Sequence, residues 1–457
     1  MGKIFGTNGI RGITNKDLTP EFALKIGKAV GTFFPERSKI LIGKDARAGG
    51  DMLVKSVEGG LLSVGLKVSD AGFVPTPALQ FTIKNSGYNG GIMITGSHNP
   101  PEYNGIKVID DNGAEISREK ELVVENILSN NKFREVNWDN VISEVNSENS
   151  IISKYIEKIL SFVDIEKIRK KKFNVLIDSA NSVGSLSTPL IAERLGCKVH
   201  TINSNLNPFF SARMPEPSAV NLKETASISK ILNADISIAH DGDADRAVFI
   251  DSAGNVVTGD RSGALLSYWL SVKNPIKRKL VYTGVSSSPF IQEFLSKHNI
   301  KIEWLKVGSV GISHKLMKDG GLAGFEENGG FIFPEHQYVR DGGMSFALML
   351  ELMANEDTPS AKLFDKLPKY YTLKGSVEMR DSNVERIYEK IEEIYGSGKE
   401  VIKIDGIKIV DKDYWFIVRK SGTEPILRIF VEAKTEEKAK SLQEDIIKQV
   451  QLIHKYL

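Results

Sequence analysis

Ser97 sits in the stretch Thr95-Gly96-Ser97-His98-Asn99-Pro100, directly after the apolar run Gly91-Ile92-Met93-Ile94. Glycine lets a backbone turn tightly, and proline keeps the loop from relaxing into a helix. A serine displayed in this way is a candidate nucleophile, with His98 and Lys107 as nearby polar assistants. The bland alternative is an ordinary Ser/Asn/Pro turn. A second loop, Asp241-Gly242-Asp243-Ala244-Asp245-Arg246, follows the buried-looking run Ile236-Ser237-Ile238-Ala239. Asp241, Asp243 and Asp245 alternate, and three carboxylates this close repel one another unless a cation neutralises them. A calcium EF-hand does not fit, because Arg246 stands where its glycine belongs and Ser252 where its last glutamate belongs. An oxygen-only, compact site suits magnesium acting beside a phosphoryl oxygen; a solvated acidic turn is the alternative. A third loop, Arg419-Lys420-Ser421-Gly422-Thr423-Glu424-Pro425, follows Trp415-Phe416-Ile417-Val418. It offers a guanidinium fork, two hydroxyls and backbone N–H groups freed by a glycine, all suited to a phosphate.

Other chemistries lack their marks. Gly396-Ser397-Gly398-Lys399 has neither the Ser or Thr after lysine nor the preceding strand of a nucleotide P-loop. No Gly-x-Gly-x-x-Gly follows a strand, and His and Glu show no zinc-ligand spacing.

The elements that must position these loops come as one unit written three times. A strand, a helix and a second strand read as 39–43, 52–64 and 66–68, then as 174–178, 188–195 and 198–200, then as 279–282, 289–297 and 301–303. Downstream of each unit lies a further short strand ending in a polar loop: 95–100, 241–246, and Glu326-Glu327-Asn328-Gly329-Gly330. Ligands bind beyond the carboxyl ends of strands in open α/β sheets. Three such loops at equivalent places therefore predict one shared cleft. After Leu367-Pro368 the pattern changes to a smaller α+β domain, with a strand at 370–379, a helix at 384–395, strands at 402–418 and 426–433, and an amphipathic closing helix at 436–454. The predicted fold is three similar α/β domains plus a smaller C-terminal α+β domain around a central cleft. The domains are 1–150 (serine loop), 151–255 (acidic loop), 256–368 (third loop) and 369–457 (basic loop), with the polar stretch 137–150 read as a linker.

At 457 residues the chain is too long for one hydrophobic core. Its 41% hydrophobic and 26% charged residues are those of a soluble globular protein, and a net charge of +2 argues for neither nucleic acid nor a membrane surface. Cys197 is the one cysteine, read as a packed thiol, so an intrachain disulfide is excluded. Without an apolar leader or a stretch of about 18 apolar residues, a cytoplasmic protein is expected. The oligomeric state stays open, a homo-oligomer included.

These loops together resemble the α-D-phosphohexomutase superfamily, over essentially the whole chain. The opening Phe5-Gly6-Thr7-Asn8-Gly9-Ile10-Arg11-Gly12 resembles its N-terminal signature, 95–100 its phosphoserine loop, 241–246 its magnesium loop, 325–330 its sugar-binding loop and 419–425 its phosphate-binding loop. The resemblance implies a four-domain molecule interconverting hexose 6-phosphate and hexose 1-phosphate (mannose and/or glucose) through phosphoserine and a hexose 1,6-bisphosphate. It implies Mg2+ held by Asp241, Asp243, Asp245 and the phosphate on Ser97. Arg11 and Lys107 would lie beside the transferring phosphoryl group, with His98 in the same loop. Arg246, Glu326 and Asn328 would hold the sugar phosphate and its hydroxyls, and Arg419, Ser421, Gly422 and Thr423 the distal phosphate. The third loop, with Gly330 where many members have histidine, looks most like archaeal-type phosphomannomutase/phosphoglucomutase, whereas the N-terminal signature is shared with phosphoglucosamine mutases. Two other classes compete: a haloacid dehalogenase-type phosphatase, which leaves Ser97 and Arg419 idle, and a sugar-phosphate sensor, which needs neither nucleophile nor carboxylates.

Overall fold

The computed structural model describes residues 4–6, 8–142, 144–379, 383–421 and 425–455. In the first α/β unit the strand Lys39–Lys44 lies between Lys67–Phe73 and Gly90–Ile94, parallel to both, and Tyr103–Asp110 runs antiparallel beyond Gly90–Ile94. The second unit repeats this with Asn174–Asp178 between Lys198–Ile202 and Ile236–Ala239, then antiparallel Val248–Ile250. The third does so with Leu280–Gly284 between Lys301–Leu305 and Ala323–Phe325, then antiparallel Phe331–Ile332. The repeat expected from sequence is thus present, down to the strand order. Each reactive loop leaves the carboxyl end of the corresponding strand, which is where α/β sheets bind ligands.

Burial explains these strands. Gly90–Ile94, Ile236–Ala239 and Ala323–Phe325 are buried at every residue, as apolar runs sandwiched by helices must be. One hydrophobic core runs through all three units, from Leu41 to Leu367. A polar tie crosses it: Tyr155 Oη donates to Asp341 Oδ1 (2.5 Å), and Asp341 caps the helix Gly342–Glu356.

The C-terminal domain is an antiparallel sheet in the order Tyr371–Glu378, Ile426–Ala433, Tyr414–Lys420, Ile407–Val410, Glu400–Ile402. Its closing helix Glu436–Lys455 buries Ala439, Leu442, Ile446 and Val450 against Val377, Ile429 and Val431 of that sheet, as its amphipathic pattern requires. The opposite face docks on the third unit through Trp415, Ile417, Phe430 and Val285. There Lys408 is wholly buried, its Nζ donating to Val285 O (2.8 Å) and Ser287 O (2.7 Å) beneath the Trp415 ring. Burial pushes this ammonium down to about 7.

The polar stretch read as a linker does more than connect. Val145–Ser147 pairs parallel with Lys67–Phe73 and forms the edge of the first sheet. All three of its residues are exposed, so a short edge strand of this kind carries no apolar alternation to be read. Cys197 is half-buried against the shared core, and burial raises its thiol to about 12, which leaves it inert at neutral pH. Among the described residues no helix is long and apolar enough to cross a membrane.

Candidate active site

The serine loop is held by its own backbone and by an arginine. Ser97 takes a left-handed φ of +50°, and its N–H donates to Thr95 Oγ1 (2.8 Å). A non-glycine residue there is uncommon and needs surrounding support. Arg47 supplies it, donating to the carbonyls of Ser97 (2.5 Å), Asn99 (2.8 Å), Pro100 (2.7 Å) and Tyr103 (3.0 Å). A Cβ on Gly96 would come within 2.8 Å of that guanidinium, so the loop accepts only glycine beside Ser97.

The acidic loop meets this serine directly. Ser97 Oγ donates to Asp241 Oδ2 at 2.8 Å. Gly242 makes the approach possible, because a Cβ there would lie 2.6 Å from Ser97 O. Asp241, Asp243 and Asp245 are all buried, with carboxylate oxygens within 4.8 Å of one another. Lys107 Nζ donates to Asp243 Oδ2 (2.7 Å) and Asp245 Oδ2 (3.2 Å), and Thr76 Oγ1 donates to Asp243 Oδ2 (2.7 Å). Burial pulls the Lys107 ammonium down, but Asp243 and Asp245 outweigh it and the net shift is upward. Lys107 thus places a positive charge against the acidic triad. Burial and then the two neighbouring carboxylates push Asp241 up. Asp243 Oδ1 and Asp245 Oδ1 are buried with no hydrogen bond. Three buried carboxylates this close, two with an oxygen that accepts no hydrogen bond, fit a hard cation, so the triad can bind a metal.

Around this centre the cleft wall is cationic. Arg246 Nη2 donates to His98 Nδ1 (2.8 Å), and Arg11 Nη1 donates to Asn99 Oδ1. Burial, and then Arg246 and Arg11, hold His98 well below the ordinary histidine range. A ring that accepts from Arg246 at Nδ1 carries, when neutral, its proton on Nε2, so in this arrangement His98 has an N–H to donate. The third loop is pinned to the second by Ala247 N to Gly329 O (2.9 Å), which sets Glu326 and Asn328 on the cleft.

The four domains enclose a cleft of about 390 Å3 that takes Arg11 and His98 from the first, Arg246 from the second, Glu326 and Asn328 from the third, and Arg419 and Ser421 from the fourth. Ser97 and the three aspartates are buried beneath its wall. Arg419 approaches Asp405 Oδ2 through Nε and Nη2, both at 3.2 Å, which fixes its fork at the far end of the cleft. Gly422 and Thr423, expected to complete that clamp, lie outside the described residues.

Comparison with known proteins decides the family. Domain models of phosphoglucomutase/phosphomannomutase match in order: alpha/beta/alpha domain I over residues 2–135, domain II over 153–254, domain III over 258–371 and the C-terminal domain over 361–449. The chain is 60% identical to phosphoglucosamine/phosphogalactosamine mutase of Sulfurisphaera tokodaii over 99% of its own length and 100% of the relative's. The chain belongs to the phosphoglucomutase/phosphomannomutase family. It is also 42% identical to phosphoglucomutase/phosphomannomutase of Thermococcus kodakarensis, over 97% of each chain. A phosphoglucomutase/phosphomannomutase family protein of Burkholderia thailandensis shares the fold, with a TM-score of 0.84 at 24% identity over 99% of this chain and 97% of that one. This member of the family is an enzyme of the phosphohexomutase type.

Several cleft residues of this phosphohexomutase escaped the sequence reading. Arg340 donates to Asp245 Oδ2 (2.5 Å) and Glu326 Oε2 (3.0 Å), joining the acidic and third loops. It precedes the capping residue Asp341 in an irregular segment, and nothing in its spacing marks it. Asn8 is amide-oriented to accept from Arg340 Nη2 (3.0 Å) and donate to Glu115 Oε1 (3.2 Å). Arg47, by contrast, follows the carboxyl end of the strand Lys39–Lys44, so the strand-end rule alone could have found it.

Proposed function

We propose that this phosphohexomutase interconverts the 6-phosphate and 1-phosphate of a 2-amino-2-deoxyhexose, glucosamine first, and that glucose and mannose phosphates are slower substrates. The observation that carries the choice of sugar is the full-length 60% identity to a phosphoglucosamine/phosphogalactosamine mutase. The 42% identity to a phosphoglucomutase/phosphomannomutase supports retaining glucose and mannose, the sugars expected from the sequence. In this reading Ser97 carries the phosphoryl group. A sugar hydroxyl attacks its phosphorus, the P–O bond to Ser97 Oγ breaks, the proton given up by the sugar hydroxyl is balanced by the one taken up at Ser97 Oγ, and a hexose 1,6-bisphosphate forms. That intermediate turns within the cleft and returns its other phosphoryl group to Ser97. Phosphoryl transfer asks mainly for positioning and charge neutralisation, which Arg11, Lys107, Arg246 and Arg340 supply. Mg2+, held by Asp241, Asp243 and Asp245, would supply a Lewis-acidic charge at a phosphoryl oxygen. Glu326 and Asn328 orient the sugar hydroxyls, His98 donates a hydrogen bond, and the enzyme works in the cytoplasm. The test is kcat/KM for glucosamine, glucose and mannose 6-phosphates side by side. Glucosamine 6-phosphate is expected to lead by about one to two decades, the worth of one differential hydrogen bond. Rapid turnover of glucose or mannose phosphate with none of glucosamine phosphate would overturn the choice.

Arg419, with Ser421, Gly422 and Thr423, would clamp whichever phosphate is not reacting. Loss of one charged hydrogen-bonding partner costs about 1.5–3 kcal/mol. Arg419→Ala is therefore expected to lower kcat/KM by about one to two decades in both directions and to make activity depend on added bisphosphate. An effect in one direction only, without leakage of bisphosphate, would make the loop a static element.

A further inference from the structure

The cleft is lined by Arg11, Arg246, Arg340, Lys374, Arg419 and Arg428, yet one carboxylate on it makes no ion pair among the described residues. Of the acids on the wall, Glu326 is bonded to Arg340 (3.0 Å), and Glu327 accepts from Ser286 Oγ (2.9 Å) with Lys374 at 3.7 Å. Glu216, from the second domain, is half-buried on the same wall, and its carboxylate makes no ion pair or hydrogen bond among the described residues. A bare negative charge repels the phosphates this cleft has to hold, so its presence calls for a positive group on the ligand.

The segment carrying it is built to hold it still. Glu216 stands between the buried prolines Pro215 and Pro217. Its carbonyl accepts from Ser218 N and Asn221 Nδ2, both at 2.9 Å. Behind it, partly buried Arg213 donates to Asp178 Oδ2 (2.8 Å), His240 O (2.7 Å) and Met214 O (3.0 Å). That anchors the segment to the strand end from which the acidic loop departs. A rigidly displayed, uncompensated carboxylate is what a charged specificity contact requires.

We infer that Glu216 reads the ammonium group at C2 of the hexosamine phosphate. The inference rests on the amino-sugar reading above and names the residue that would make it specific. Glucose and mannose present a neutral hydroxyl at C2 and gain no charge-assisted bond there. Glu216 does not touch the reacting atoms; it sets which sugar is held well.

The experiment compares wild type, Glu216→Gln and Glu216→Asp on glucosamine 6-phosphate and glucose 6-phosphate, reading the ratio of kcat/KM for the two sugars. E216Q keeps the shape and removes the charge, and the glucosamine-to-glucose ratio is expected to fall about ten- to hundredfold, mostly through KM. E216D, which keeps the charge on a shorter arm, is expected to retain most of the ratio. If wild type turns over glucosamine phosphate but E216Q leaves the ratio unchanged, because both sugars suffer equally or neither suffers, Glu216 serves domain closure or nothing, and this inference alone is overturned. If wild type does not turn over glucosamine phosphate, the choice of sugar fails first and the inference falls with it.

Discussion

Ser97→Ala is expected to remove turnover by about a thousandfold or more while leaving the protein folded, because on the proposed mechanism it deletes the phosphoryl carrier and no core group. Loss of a covalent nucleophile generally costs several decades in kcat. The fold has little stake in the hydroxyl. Its one contact under 3 Å is with Asp241 Oδ2 at 2.8 Å, and a single hydrogen bond contributes about 1 kcal/mol. The loop is held elsewhere, by Arg47 on four backbone carbonyls and by Thr95 Oγ1 on the Ser97 N–H. Alanine must still adopt the left-handed φ of +50°, which costs roughly 1–2 kcal/mol for an L-residue, but serine already bears that cost. The thermal midpoint should therefore stay within a few degrees of wild type. Incubation with labelled hexose 1,6-bisphosphate should mark wild type at Ser97 and leave the variant unmarked. More than about a tenth of wild-type activity, far above what losing a nucleophile allows, would remove Ser97 from the centre of the reaction. Release of free phosphate by wild type, with no marked serine, would favour a phosphatase instead.

Stripping divalent metal is expected to take activity below about a hundredth of its starting value, and added Mg2+ is expected to restore it. Two unit charges 4 Å apart repel by about 4 kcal/mol at an effective dielectric constant near 20. Asp241, Asp243 and Asp245 have oxygens within 4.8 Å of one another. Lys107 and Arg340 answer Asp243 and Asp245 through one oxygen each, Asp243 Oδ1 and Asp245 Oδ1 accept no hydrogen bond, and Arg246 Nε stands 3.9 Å from Asp245 Oδ1. A cation among the three carboxylates would relieve that repulsion. A ligand that binds only the folded state stabilises it by about 2.7 kcal/mol at a hundred times its Kd, so the thermal midpoint should rise with Mg2+ as activity returns. Asp243→Asn should blunt that rise. Full activity in excess chelator, with no shift in midpoint on adding metal, would leave the triad a purely electrostatic partner of Lys107.

The sequence by itself determined a good deal here. The strand–helix–strand repeat, the smaller α+β C-terminal domain and the placing of each polar loop just after a strand were all legible. Burial on both faces makes a strand a continuous apolar run, and a catalytic loop at its end breaks that run with Gly, Asp, Ser and Pro over a few residues. Such signals are local. Val145–Ser147 went unread because an exposed edge strand carries no such run. What only the tertiary structure decided is convergence. Arg340 acts on an aspartate ninety-five residues away, with no spacing to betray it, and although Arg47 stands at a strand end, the loop it holds fifty residues away is known only from the fold. The state of His98 likewise depends on Arg246, brought to it from the second domain. Glu216 is an ordinary glutamate between two prolines until four domains close a cationic cleft around it. The charge a side chain must answer is set by neighbours that folding brings together, and chain order does not record which those are.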